Sequence, residues 1–449
     1  MLLNDLKQLC VIPDKLCVVN YFFQSFYSLI LNKKMKKSLL FILTFVFCEM
    51  FFGQWTTGAD MPEGIRAGNS ISYSDASNNA YMYVIGGRND QEIISNKTYR
   101  YNIRTNTWDT KQNVPTPILG AASARIGDNI FIIGGMVTTP GTVTRKVYKY
   151  NIENDIWSNV ADFPRAFTDG DAVPYQDSLI YVVGSYNSEK TFVYNINKDK
   201  WRECNAVPSP GTSLSYGALS VSGNKLVYVG GSNGTFSTTY WNNVLIGEID
   251  QNNRSVVNWT QGTSFPGQTR TFFELQPWNN GLILIGGTTN NTFDTYTDEN
   301  YFFDAENNTW TQFTNKPTAW NTGNAASIFL DGSWKLICSG GFEQEYLKKT
   351  EIYSQQNLSV SDDKACHLKN LKTISGTRPG LNFCLSENGE TLLTIWDMQG
   401  RKLRKESKVA DKKGTHSVSL ANEGLKSGLY IINLNQNQNS VSKKIQIVN

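Results

Sequence analysis

Six tryptophans in this chain are each followed seven residues later by a proline: Trp55 and Pro62, Trp108 and Pro115, Trp157 and Pro164, Trp201 and Pro208, Trp259 and Pro266, Trp310 and Pro317. A rare pair recurring at one offset means that the chain is built from copies of a single unit. Each copy must bury a face that it cannot cover alone, so neighbours stack. From Trp to Trp the units span 44 to 58 residues, enough for about four short strands and their turns.

Two further markers recur in a fixed order. Between 19 and 24 residues after each Pro, an apolar run ends in glycine: YMYVIGG (Gly86, Gly87), IFIIGG (Gly134, Gly135), LVYVGG (Gly230, Gly231), LILIGG (Gly286, Gly287) and WKLICSGG (Gly340, Gly341), with Gly184 followed by Ser185 in the third copy. A short Val, Ile and Tyr run stopped by Gly-Gly reads as a buried strand entering a turn that needs positive φ or close backbone approach. Next comes an aromatic strand, as in YRYNIRTNTW, YKYNIENDIW, FVYNINKDKW and YFFDAENNTW, whose alternation and polar turn before the Trp make a hairpin. Only 18% of residues are charged and aromatic residues are abundant, which favours sheet over helix. About four strands per unit is the blade of a β-propeller.

The ordered set of Gly-Gly, Tyr and Trp resembles the kelch repeat over residues 55 to 354. The resemblance implies an all-β fold, a six-bladed kelch β-propeller whose Trp and Tyr side chains pack between blades. Two copies depart from the pattern, Ser185 in the third and VLIGEID in place of an aromatic strand in the fourth, and distorted outer edges are expected there. The last glycine pair is followed by TEIYSQQ with no Trp, whereas Trp55 has no glycine pair before it. These half-repeats complete one another, so the N-terminal strand should close the ring.

From Met35 the chain reads MKKSLLFILTFVFCEMFFGQW, two lysines and an apolar run ended by a small residue, which is the layout of a signal peptide over residues 35–54. The run is too short for a good transmembrane helix, so no integral membrane segment is expected in the mature chain. Residues 1–34 read as upstream of the true start, with a mature N-terminus near Gln54 or Trp55.

Propellers bind ligands where loops converge on the central channel. In the segments from each Pro into its inner strand, the residues suited to a charged or ring-shaped ligand are Arg66, Arg165, Asp169, Arg270 and Trp320, with Glu274 nearby. Arginines pairing with carbonyls or neighbouring blades are the structural alternative. The only histidines, His367 and His416, lie outside the propeller, which excludes a galactose-oxidase-like copper site and a histidine-dependent hydrolase there. No catalytic residue, metal or cofactor is assigned.

After a polar linker, residues 355–370, residues 371–449 show short alternating strands with turns at Asn388-Gly389, Gln399-Gly400 and Ser427-Gly428, as a small β-sandwich would. LLTIWDMQGRKL, GTHSVSLANEGLKSGLYIINL and KKIQIVN resemble the C-terminal sorting domain (type A) of the type IX secretion system of Bacteroidetes. That resemblance implies recognition by the type IX translocon and a final place in the medium or on the outer cell surface.

The net charge of +3 divides into +3 for residues 1–54, −6 for 55–361 and +6 for 362–449, so the acidic middle is no nucleic-acid binder. Four cysteines follow residue 54. A disulfide such as Cys366 to Cys384 is open to them, but isolated buried thiols are the simpler expectation. The sequence thus reads as an exported binding protein for carbohydrate or protein. Its alternative is a sugar enzyme of the N-acetylneuraminate epimerase kind, which the kelch resemblance suggests and channel arginines and a carboxylate would serve.

Overall fold

Each repeat folds as four antiparallel strands because its second strand is mostly apolar and buried and must be covered on both faces, while its fourth alternates and meets solvent. The computed structural model describes residues 54–355 apart from 76, 139–140, 186–187, 209–212, 235–236, 238 and 293. It also describes residues 371–447 apart from 375–379, 386, 398–401, 411, 421–424, 426–427 and 437–438. The upstream segment, the expected signal peptide except for its last residue, Gln54, and most of the linker lie outside these residues.

Six four-stranded sheets fill residues 54–354. Their innermost strands are Asn69–Ser74, Ala122–Ile126, Asp171–Tyr175, Ala218–Ser222, Glu274–Trp278 and Asn324–Leu330, and we number the sheets one to six in that order. The first five sheets run inner to outer in chain order. Sheet six takes its outer strand from Gln54–Gly58, which pairs antiparallel with Thr350–Ser354 and sets Trp55 opposite Tyr353.

The repeat markers hold these sheets together. In sheets one, two, three, five and six the Trp sits opposite an aromatic residue: Tyr101, Tyr150, Tyr194, Phe303 and Tyr353. Ring centroids in those pairs are 4.7 to 5.4 Å apart, worth about 1 kcal/mol per pair beyond burial. In sheets one, two, three and five the indole N–H also reaches back to the preceding sheet, donating to the carbonyls of Ala59, Gln112, Ala161 and Thr263. Six apolar clusters fill the spaces between successive sheets, and one joins Ile328 and Ile337 of sheet six to Met82 and Tyr101 of sheet one.

The two departures have local solutions. Pairing in sheet four is regular, so the distortion expected there does not occur. Gly247 stands opposite Trp259, and an added Cβ would meet the indole at 2.8 Å; the ring fills the space an aromatic partner takes elsewhere. In sheet three Ser185 adopts φ 146°, which a non-glycine residue accepts only with strain.

Residues 371–447 form a three-stranded sheet, Lys372–Ile374, Gly380–Leu385 and Gly414–Ser419, and a four-stranded sheet, Thr391–Asp397, Lys402–Ala410, Gly428–Gln436 and Asn439–Ile447. Leu381, Phe383, Leu393, Ile395 and Ile432 share one core between them. Cys384 is disulfide-bonded, which corrects the expectation of isolated thiols, while Cys204 and Cys338 are free and buried. A strand cysteine persists as a disulfide under oxidising conditions, such as those outside the cell where the sequence leads one to expect this domain. No described helix is long and apolar enough to cross a membrane.

Candidate functional site

The glycine turns position everything at the channel mouth. The second residue of each turn donates its N–H to a carbonyl of the next sheet's entry segment: Gly87 to Ile118, Gly135 to Phe167, Ser185 to Leu214, Gly231 to Arg270, Gly287 to Trp320 and Gly341 to Ile65, at 2.7 to 3.2 Å. A Cβ on Gly340 would stand 2.3 Å from the Ile65 carbonyl, so glycine permits the approach. Ile65, Ile118, Phe167, Leu214, Arg270 and Trp320 therefore hold equivalent places, each locked under the preceding sheet's turn.

That equivalence relocates two expected site residues. Arg270 is fully buried and donates to the carbonyls of Gly286 and Glu299 and to the Glu299 carboxylate, with Phe265 and Tyr301 beside its guanidinium. Trp320 is 1% exposed and lies against Gly286 and Gly323. Neither faces the channel, because both do the packing that Ile, Phe and Leu do in the other four sheets. Arg165 also does not line it. Alignment on the Pro would have exposed the pattern, since Ile65, Ile118, Phe167 and Trp320 each stand three residues after it.

Two residues beyond each locked position, the chain turns into its inner strand through a left-handed residue: Ala67, Gly120, Asp169, Tyr216, Phe272 and Thr322, with φ between 48° and 65°. These residues are hydrogen-bonded head to tail across sheets. Asp169 N donates to Gly120 O, Tyr216 to Asp169, Phe272 to Tyr216, Thr322 to Phe272 and Ala67 to Thr322, at 2.7 to 3.1 Å. All six line a cavity of about 870 Å³ enclosed by the inner strands, with Arg66, Arg88 and Phe342 beside them and Arg125, Pro174 and Pro277 toward the far strand ends.

Of the expected site residues, the cavity thus gathers Arg66 and Asp169, and with them Glu274. Arg66 lies between Phe342 and Tyr346, 5.0 and 5.1 Å from the ring centroids. It shares Glu92 with Arg88, at 3.5 and 3.1 Å. The Tyr346 hydroxyl donates to Glu92 at 2.7 Å and, with both arginines, holds that carboxyl below its ordinary range. Tyr216 and Phe272, absent from the sequence-based candidates, meet at a centroid separation of 4.1 Å.

Two residues below the ring, Asp171 and Glu274 face the cavity from sheets three and five. The Asp171 carboxylate accepts the backbone N–H of Ala172 and Leu219 at 2.7 and 2.8 Å, yet burial outweighs both bonds and pushes it up to about 6. Glu274 accepts from Gln276 at 3.1 Å, and burial, reinforced by the Asp171 charge, raises it well above its usual value. Both carboxyls see the cavity but little bulk water, which penalises their charged forms. The described residues contain no group of side chains able to hold a metal ion.

The match to known proteins follows this division of the chain. Residues 49–231 match the family model described as the KLHDC2/KLHL20/DRC7 Kelch-repeats domain. Residues 380–448 match the secretion system C-terminal sorting domain, which indicates export to the cell surface or the medium. Among solved structures, one titled "Structure of YjhT" superposes with a TM-score of 0.53 at 14% identity, covering 65% of this chain and 95% of its own, and shows the fold alone. Beta-scruin of Limulus polyphemus is 28% identical over 99 residues, 22% of this chain, and alpha-scruin 28% over 95 residues, 21% of this chain. The matched stretch spans 10% of each scruin's own length. The chain thus carries a kelch-repeat domain and a type IX C-terminal sorting domain.

Proposed function

We propose that the protein is an exported six-bladed propeller, closed by its own N-terminal strand, that binds carbohydrate at the mouth of its axial cavity. The carrying observation is the cavity of about 870 Å³, rimmed by the Tyr216–Phe272 pair and lined by polar side chains from several sheets. Large pockets combining aromatic surface with a few convergent polar groups are the usual form of small-ligand sites. In this reading the propeller spans residues 55–354, residues 371–449 deliver it through the type IX translocon, and Arg66 and Asp169 contact ligand from the rim.

A glycan array probed with the full-length exported protein tests this. Binding that Tyr216→Ala weakens supports the reading, whereas no glycan bound, with a protein partner captured through the same face, replaces it with protein recognition. An enzyme of the N-acetylneuraminate epimerase kind is favoured by one observation, the two carboxyls Asp171 and Glu274 in the cavity wall, which burial raises above the ordinary carboxylate range. Incubation with N-acetylneuraminate and its epimer followed by NMR decides it, since an unchanged spectrum rejects that activity.

A further inference from the structure

Tyr216 and Phe272 hold left-handed backbone, φ 58° and 54°, at a ring position that glycine fills in sheet two. Bulky residues are strained there and glycine is not. Both side chains line the cavity instead of a core between sheets, so the backbone strain is kept for what those rings meet. With centroids 4.1 Å apart they form one aromatic surface.

The wall around this platform is balanced in charge. Arg66, Arg88 and Arg125 line it, and so do Asp169, Asp171 and Glu274. Each is already engaged within the protein. Arg66 and Arg88 share Glu92, and Arg125 donates to the Ser72 and Gly127 carbonyls. Asp169 accepts from the Thr168 hydroxyl at 3.1 Å, Asp171 from the Ala172 and Leu219 amides, and Glu274 from Gln276. Burial raises both Asp171 and Glu274, so the wall resists charge even on its own side chains. A charged ligand group would leave water here and meet no open counter-charge, a cost that an uncharged hydroxyl escapes. Among the described residues lining the cavity, the polar side chain that is fully buried with no hydrogen-bond partner is also uncharged, the hydroxyl of Thr288. We propose that the ligand is an uncharged pyranose, the apolar C–H face of its ring lying on Tyr216 and Phe272 and its hydroxyl groups bonding the polar wall. This rests on the cavity being a carbohydrate site and adds the ligand's charge and the surface that holds it. Sugar C–H groups are slightly positive and meet the negative faces of aromatic rings. Paired arginines and carboxylates keep spare N–H groups and lone pairs for hydroxyls.

The test is calorimetry on the full-length exported protein at pH 7, with glucose, mannose, galactose and N-acetylglucosamine oligomers as uncharged probes and glucosamine and uronate oligomers as the cation and the anion. The tightest uncharged oligomer is expected to bind about tenfold or more tighter than either charged one. Its affinity should change less than about twofold between about 50 and about 500 mM salt, because no ion pair forms on binding. Tyr216→Gly and Phe272→Gly suit the left-handed backbone, so each should keep the melting temperature and weaken binding on the order of tenfold or more. Tyr216→Asn, which also tolerates that backbone, replaces the glycine variant if the latter melts lower. A charged oligomer that binds as tightly as every uncharged one, or an affinity that falls about tenfold with salt, overturns the uncharged assignment and leaves the carbohydrate reading standing. Variants that melt and bind as wild type overturn the platform. If no oligomer binds, the charge of the glycans bound on the array decides in the same way, and an empty array removes the carbohydrate reading and this inference with it.

Discussion

Asp171→Asn isolates the electrostatic cost of the cavity wall. The carboxyl moves from an ordinary 3.8 to about 6 in the folded protein, and about two units at 1.36 kcal/mol each amount to about 3 kcal/mol. The native state holds the proton more tightly than the unfolded chain. Stability at this site is therefore fully present below pH 4, is lost as pH rises through the window to 6, and stays lost above it. Relative to its own value at pH 4, the wild type at pH 7 should lack about 3 kcal/mol that the variant retains. Over the roughly 300-residue propeller this is about 5 °C in the melting temperature. The absolute stability of Asp171→Asn is less informative, because an amide oxygen cannot accept from both Ala172 and Leu219. The difference between the two pH profiles cancels that loss. Calorimetric melting of both proteins from pH 4 to 7.5 measures it, with Glu274→Gln as a companion for the second carboxyl. Profiles parallel to within about 1 °C would refute the reasoning, since Asp171 would then titrate as if in bulk water.

Ser185→Gly should raise the melting temperature by an amount corresponding to about 1 kcal/mol, because φ 146° is open to glycine and strained for serine; a lower value would show that the serine side chain stabilises the turn. Arg270→Ala should cost 3 kcal/mol or more in denaturant unfolding, through lost packing and the stranded Gly286 and Glu299 carbonyls, whereas Arg66→Ala at the rim should change stability by less than about 1 kcal/mol. Deleting residues 54–58 removes five paired residues and the Trp55 ring from sheet six. At about 1 kcal/mol per backbone bond the loss is comparable with the stability of a whole domain, so the deleted protein should fail to show a cooperative transition.

The repeat was legible in the sequence because its markers do the same job in most of the sheets. Trp157 must find an aromatic partner and a carbonyl in the preceding sheet, and Trp108 and Trp201 must do likewise. Such shared constraints leave a common pattern. Arg270 and Trp320 misled for the opposite reason: in isolation they look like ligand-binding side chains, and only comparison with Ile65 and Ile118 reveals a packing position. Tyr216 and Phe272 stayed hidden because the ring position is defined by left-handed backbone and bonds between sheets, for which Ala, Gly, Asp, Tyr, Phe and Thr carry no common signature. Glu274 was visible as an acid near the entry segments, but its raised affinity for a proton arises from burial beside Asp171, two sheets away.

The placement of Gln54–Gly58 also sets a timetable. Thr56 Oγ1 bonds the carbonyl of Ile352 across 296 residues of chain, a loop whose closure entropy must be met before any of its contacts is gained. Synthesis proceeds from the N-terminus, so the first strand of the propeller to be made waits unpaired for the last. Sheets one to five are built from neighbouring segments and can assemble meanwhile. The slow step in maturation should therefore be the docking of this strand, and until it occurs sheet six presents an open edge to any other extended chain in reach.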